Sequence, residues 1–361
     1  MFIDVAITLL KIAFVFGLVL NIAGILGWAE RKQSAVMQDR IGANRADILG
    51  LRLFGLFHPI ADIVKVITKE DWIPPGGDKF LHTLAPFLAL FTALAVFAVI
   101  PFGDTLHIAG RDIPLVIADL NVGILFVIAF GSLGIYSVVL AGWSSDNKYS
   151  LLGSMRAAAQ VISYELALAL SVVGVIMAYG SVELDDIARA QGQYVLGIIP
   201  YWGVIAQPLG FLIFFAAAMA ETKRTPFDLP ECESEIIGYF TEYSGFKFLA
   251  FWMGEFIEVI AVAGVVTTLY FGGWQVPFID SQGFFVPGLF TIPLPHLLVV
   301  VIQVTAFILK VCFFCWFMLL VRWTLPRFRY DQLMGFGWKF LLPLAFLNVI
   351  LSGVIFMSFE G

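Results

Sequence analysis

Histidine and cysteine are scarce: four and three in 361 residues. A metal centre needs about three or four such ligands brought together. Cys312 and Cys315 form a C-x-x-C, but it lies inside an apolar run with no second pair nearby. It reads as buried apolar cysteine, and no metal site is expected. Neither G-x-G-x-x-G nor a phosphate-loop pattern occurs, so nucleotide binding lacks its backbone signature. Charge is scarce too, at 13% against about 25% in ordinary soluble domains. That excludes a soluble globule. The net charge of −6 says little, because acids and bases interleave on the same face; no nucleic acid is expected as a partner.

What fills the chain instead is apolar: 60% of it is hydrophobic. Runs of about 20 apolar residues, each long enough to cross a bilayer as a helix, recur from end to end. The expected fold is an all-α polytopic membrane protein, one membrane domain over 1–361. Eight transmembrane helices are expected at about 4–28, 80–102, 119–142, 158–180, 200–220, 246–271, 293–321 and 339–357. No basic leader precedes the first run, so it reads as a retained span. Seventeen of the 21 Lys and Arg fall in one alternating set of loops, from Arg31 to Lys339. Arg111 and Arg189 fall in the other set, and Lys11 and Lys310 lie within spans. The positive-inside rule puts the basic set in the cytoplasm and both termini on the far side.

Two features of the basic side stand out. Residues 51–69 carry apolar side chains at helical spacing, with His58, Asp62, Lys65 and Lys69 on another face. This predicts an amphipathic helix in the membrane interface, kinked or started at Pro59. It would either cover the bundle or form one wall of a cavity open to lipid. Between the fifth and sixth spans, Glu221, Asp228, Glu231, Glu233, Glu235 and Glu242 put six carboxylates into 22 positions. Insertion of two spans does not require this. Arg322, Arg327 and Arg329 at the basic end of the seventh span either anchor it by the positive-inside rule or face those carboxylates or an acidic partner.

Charges at bilayer depth cost roughly 2.5–3.5 kcal/mol each even on a lenient scale. Glu165, Glu255, Glu258 and Lys310 lie there. Glu255 and Glu258, three apart, share a helix face and suggest a shared proton. Lys11 lies close enough to the far surface to snorkel. The deep groups run from the basic side to about the midplane and stop. This predicts a polar half-path rather than a pore. The alternative is an ion pair of Lys310 with a glutamate that only fixes helix packing.

Several segments resemble one family in order along nearly the whole chain. They include Ala29-Glu30-Arg31-Lys32, Arg40-Ile-Gly-Ala-Asn-Arg45, Lys69-Glu-Asp-Trp-Ile-Pro74, Gly142 to Gly153, Ser163-Tyr-Glu165, Glu221 to Glu235, and Arg327 to Gln332. The family is that of the membrane-embedded H subunit of bacterial respiratory complex I, the proton-pumping NADH:quinone oxidoreductase, with mitochondrial NADH dehydrogenase subunit 1 as its counterpart. The resemblance implies a bacterial inner-membrane subunit that joins the peripheral and membrane arms. A quinone, ubiquinone or menaquinone, would be the substrate, with no covalently bound cofactor. Iron–sulfur clusters and flavin would reside in partner subunits. Two peripheral-arm subunits would share the quinone chamber, with small membrane-arm and antiporter-like pumping subunits beyond and lipid around.

The resemblance implies a chamber lining of Glu30, Arg31, Arg40, His58, Asp62, Lys65, Arg224, Asp228, Glu231, Glu233, Glu235 and Arg322. It implies a proton path through Glu165, Glu221, Glu242 and Glu255, to which the depth reading adds Glu258 and Lys310. The chain departs from the family at Ala43, usually Pro, at His58, usually Gln, and at Phe256, usually Tyr. The alternative assignment is the membrane anchor of a related proton-reducing hydrogenase.

Overall fold

The computed structural model describes residues 2–108, 110–195, 199–229, 238–280, 283–286 and 290–360. Among the described residues, seven helices are long and apolar enough to cross a membrane. They are α1 (Phe2–Met37), α3 (Lys79–Ala95, continued by a 3₁₀ turn to Ala98), α4 (Gly123–Ser144), α5 (Lys148–Tyr179), α9 (Gly245–Tyr270), α10 (His296–Thr324) and the α11–α12 unit (Tyr330–Phe336 and Leu342–Glu360). A π-helical turn at Gly337–Leu341 joins α11 to α12. The chain is a multi-pass, all-α membrane protein.

The expected span at 200–220 is the exception. It forms a one-turn α7 (Gly203–Ala206) and then α8 (Pro208–Glu221), 14 residues long. At 1.5 Å per residue α8 is about 21 Å, short of the roughly 30 Å hydrocarbon core. Pro208 supplies the N1 residue that separates the two.

Helix α9 is the axis of the bundle. It is buried along most of its length and packs on α1, α3 and α10. Helix α5 packs on α4, α8 and α12. The first helix overruns its expected end by nine residues, to Met37, carrying Glu30 and Arg31 on a rigid rod. Helix α2 is His58–Ile67, with Pro59 in its first turn. Proline therefore marks the true start, and residues 53–55 form a separate 3₁₀ turn. Gly55 has φ +86°, and an added Cβ there would lie 2.2 Å from the Ala43 carbonyl. That turn admits only glycine.

The face opposite the basic loops is more structured than simple connectors. It holds β1–β2 (Leu106–Ile108, Arg111–Ile113), β3–β4 (Tyr194–Val195, Ile199–Pro200) and a three-stranded sheet β5–β6–β7 (Ile279–Asp280, Gly283–Val286, Phe290–Pro293). The short α6 (Leu184–Ala190) crosses there, with Arg189 bridging Asp104 at 2.7 Å and Asp185 at 2.8 Å.

At the start of α6, burial and the adjoining Asp119 carboxyl raise Glu183 to about 7 from an ordinary 4.5. The folded pair holds its proton more tightly than the unfolded chain does. Its stabilisation is complete below about pH 4.5 and is lost as pH rises through about 7. Amide-exchange protection of 181–190 is therefore expected to fall between pH 5 and pH 8, after correction for intrinsic exchange. Glu183→Gln should flatten that dependence. An unchanged slope in the variant would remove Glu183 as its source.

Candidate functional site: a basic-face ion cluster backed by an acid-lined cavity

The residues of the basic face converge on Glu30. Its Oε2 accepts from Arg224 Nη1 at 3.0 Å and its Oε1 from Arg322 Nη1 at 2.8 Å. One carboxylate on α1 thus ties the acid loop to α10. The Arg224 guanidinium also lies over the Phe256 ring, 4.0 Å from its centroid. The face of an aromatic ring attracts such a cation without a hydroxyl, so Phe256 serves here as a platform.

Arg31 reaches Asp62 of α2 at 2.6 Å, and Trp28 Nε1 donates to the Phe54 carbonyl at 3.1 Å. These contacts fasten α2 against α1 by its polar side. Ile60, Ile63, Val64 and Ile67 then face outward as an exposed apolar stripe. Lys65 is also exposed, while His58 Nε2 is buried with no hydrogen-bond partner among the described residues. Glu30, Arg31, Ser34, Arg40, Ala43 and Trp323 line one hollow beside this junction.

The acid loop is closed into a ring by one buried amide. Gln160 Nε2 on α5 donates to the carbonyls of Ala220 at 2.9 Å and Phe227 at 2.7 Å. At the far end of the ring, Asp228 Oδ2 accepts from Arg327 Nη2 at 2.5 Å. The expected meeting of basic span end and acid loop is therefore present through Arg327. Arg322 pairs with Glu30 at 2.8 Å, and Arg329 with Asp331 at 3.2 Å. Glu231, Glu233 and Glu235 lie outside the described residues.

Behind this ring, between α3, α4, α5, α8 and α9, lies a cavity. Glu165, Glu221 and Glu258 are its carboxylates, and Lys223 is the single cation among its described lining residues. Lys223 Nζ lies 3.3 and 3.2 Å from the two oxygens of Glu258. Ser132 on α4 donates to Glu165 Oε1 and to the Ile128 carbonyl.

Room for these groups comes from a side of α4 that lacks side chains. A Cβ at Gly131 would lie 2.7 Å from Glu221 Oε1, and one at Gly134 would lie 3.8 Å from Glu258 Oε1. Farther toward the opposite face the walls are apolar: Val96, Ile124, Val127, Val172, Val265 and Leu269. Gly131→Ala is expected to displace the Glu221 carboxylate. Gly134→Ala, with ordinary contact distances, should leave its neighbouring carboxylate in place; comparing the carboxyl infrared bands of the two variants checks this.

Three expected path residues lie elsewhere. The ammonium of Lys310 donates to the carbonyls of Phe271 (2.8 Å), Gly273 (3.0 Å) and Gln275 (2.6 Å), and lies over the Trp202 ring. Among the described residues it makes no ion pair with a glutamate. A long side chain reaches the loop after α9 and satisfies itself on backbone. Glu242 accepts from Asn147 Nδ2 at 2.6 Å at the turn between α4 and α5. Its neighbour Tyr243 stacks on His82 at 3.9 Å and touches Ser144 Oγ at 3.1 Å, and burial pushes the Tyr243 phenol up to about 12. Glu255 is buried on α9, outside the cavity's lining. Glu258, the second carboxylate of that i, i+3 pair, has the Lys223 ammonium as its ion-pair partner at 3.2 Å.

Among the described residues no three His, Cys, Asp or Glu side chains group as metal ligands. Nothing in the sequence singles out Ser132, Gln160, Gly131 or the role of Lys223. The partners of Ser132, Gln160 and Lys223 sit 33 to 67 residues away, beyond any periodic signal.

A model of the NADH dehydrogenase family matches residues 10–353. The chain belongs to that family. Its relatives cover more than nine-tenths of it. The NADH-quinone oxidoreductase H subunit 1 of Geobacter metallireducens is 46% identical over 355 residues, 98% of each chain. The NADH-quinone oxidoreductase H subunit of Thermomicrobium roseum is 46% identical over 340 residues, 93% of this chain and 92% of its own. The H subunit 1 of the Cytophaga hutchinsonii NADH-quinone oxidoreductase is 42% identical, covering 96% and 95%. Within the NADH dehydrogenase family this chain carries both halves of the site in one connected ring. Residues 221 and 223 face the cavity, and 224 and 228 face the basic-face cluster.

Proposed function

We propose that this chain is the membrane-embedded H subunit of a proton-translocating NADH:quinone oxidoreductase. It forms the quinone-access tunnel and the first proton path. A single observation carries the reading: one short ring, 221–228, belongs at once to the basic-face ion cluster and to the acid-lined cavity behind it. A charge change on one side of that ring acts on the other over a few ångströms. At low effective dielectric such distances shift proton affinities by several units.

Quinone, ubiquinone or menaquinone, enters from lipid between α1 and α2, beside the hollow at Glu30, Arg31 and Arg40. His58, Asp62 and Lys65 border that mouth, and Arg224, Asp228 and Arg322 border the chamber. Peripheral-arm partners hold the iron–sulfur clusters and flavin and deliver the electrons. The negative charge of reduction is felt by the 221–242 segment. Glu221, Glu165 and Glu258 pass the proton inward, and Glu242 and Glu255 flank the route to the pumping subunits. The polar lining that stops at apolar walls fits a half-path whose proton leaves sideways into a neighbouring subunit. The basic loops face the bacterial cytoplasm, which puts both termini in the periplasm. The names of the relatives favour this over the hydrogenase anchor.

The assembled enzyme tests the tunnel directly. A photoreactive quinone analogue is expected to label residues 24–31 and 54–63, and excess quinone should compete it away. Labelling confined to other helices would overturn the tunnel assignment.

A further inference from the structure

The Lys223–Glu258 pair is not accounted for by a path made only of carboxylates. Lys223 follows α8, in the ring beside Arg224, while Glu258 lies deep on α9. The lysine is 7% exposed and has φ +54°. A non-glycine residue held in the left-handed region is strained, and such strain persists only where surroundings over-determine it. Its ammonium meets both oxygens of Glu258 and is also faced by Glu255 and Glu221. A buried charge pair of this kind adds little net stability, because desolvation offsets most of the attraction.

We propose that Lys223 is a positioning residue that couples the acid loop to the cavity: its ammonium is the counter-ion of Glu258, and movement of the 221–228 ring sets whether Glu258 keeps that counter-ion. With Lys223 in place, Glu258 is held as a carboxylate. When the ring shifts and carries Lys223 away, the carboxylate is left in the cavity without compensation and binds a proton from its neighbours. Return of Lys223 expels that proton toward Glu165 or Glu221. No bond other than to the proton changes. The groups facing the pair are Glu221 from α8, Glu165 from α5 and Glu255 from α9. Helices α3 and α4 contribute Thr92 and the non-titrating Ser132.

This inference rests on the proposed proton path, and a double-mutant cycle in the assembled enzyme separates the two. Lys223→Met and Glu258→Gln are each expected to lower proton-coupled quinone reduction about tenfold, and the double variant no further than the worse single one. Multiplicative loss, about a hundredfold, would overturn the coupling. Lys223→Met should also move the pH profile of that activity by at least one unit, and adding Glu258→Gln should abolish the shift. A profile unmoved in Lys223→Met would likewise overturn it.

Infrared difference spectra give a readout independent of turnover. A protonated carboxyl band should appear in Lys223→Met and be missing from the double variant; a band that persists in the double variant counts against Glu258. If Lys223→Met does not assemble, Lys223→Arg, which keeps the charge, must retain the parent pH profile, and Glu258→Gln must alter it. If instead Glu165→Gln translocates protons normally, the path reading itself fails, whatever the cycle shows.

Discussion

Glu165→Gln should assemble and yet cut proton translocation coupled to quinone reduction by on the order of tenfold or more, the loss typical when a proton-transfer group is removed. The substitution is nearly isosteric. The Ser132 hydroxyl that now donates to Glu165 Oε1 can donate to the amide oxygen, so the contact between α4 and α5 survives. What is lost is the ability to bind and release a proton at the wall of the cavity that Glu221 and Glu258 share. Subunit content of the purified complex checks assembly, and proton uptake by sealed membrane vesicles checks function. Parent-like stoichiometry would take Glu165 out of the path.

A second large effect is expected at Glu30. Its carboxylate is the common acceptor for Arg224 and Arg322, and Arg224 is buried. Glu30→Ala leaves two guanidinium groups facing each other without their shared acceptor, a change that costs about 3–5 kcal/mol when a buried pair loses one partner. The acid loop and α10 would separate, and quinone reduction would collapse together with the retention of this subunit in the complex. Glu30→Gln, which keeps an oxygen but not the charge, should fall between. Adding Arg322→Met to Glu30→Ala removes one of the stranded cations and should restore part of the loss. Equal subunit retention in all three variants would show that Glu30 is not the tie between α1, the loop and α10.

The large elements were legible because bilayer depth imposes length and composition on each of them. Helices α3, α4, α9 and α10 fall near their expected ranges for that reason. The mismatches have local causes. Pro208 cuts the fifth apolar run and leaves α8 short. No proline or glycine breaks residues 28–37, so α1 runs on past the interface to Met37. Pro59 starts α2 rather than bending it.

For the site, residue type and loop were readable, but pairing was not. That arginines at the end of α10 would meet acids was one reading of the charge pattern; that Arg327 meets Asp228 while Arg322 meets Glu30 depends on how the end of α10 and the chain after it lie against α1 and the loop. By depth Lys310 suits a glutamate, yet the backbone carbonyls of the loop after α9 claim its donors. By position Lys223 is one more positive-inside charge. Its partnership with Glu258 exists only because α8 and α9 bring residues 35 positions apart together.

The double donation of Gln160 has a mechanical consequence. Both ends of the stretch from Ala220 to Phe227 hang from one side chain on a rigid rod. Both feet are on one amide, and the Phe328 amide holds the Pro226 carbonyl between them, so the stretch is a handle fixed at its ends and braced in its middle. Lys223 and Arg224 are neighbours on that handle, one on Glu258 and the other on Glu30, so strain at either ion pair reaches the other through a single peptide. That link is short, so small displacements arrive with little loss. Lengthening the handle by a residue or two should therefore blunt transmission more than it harms folding.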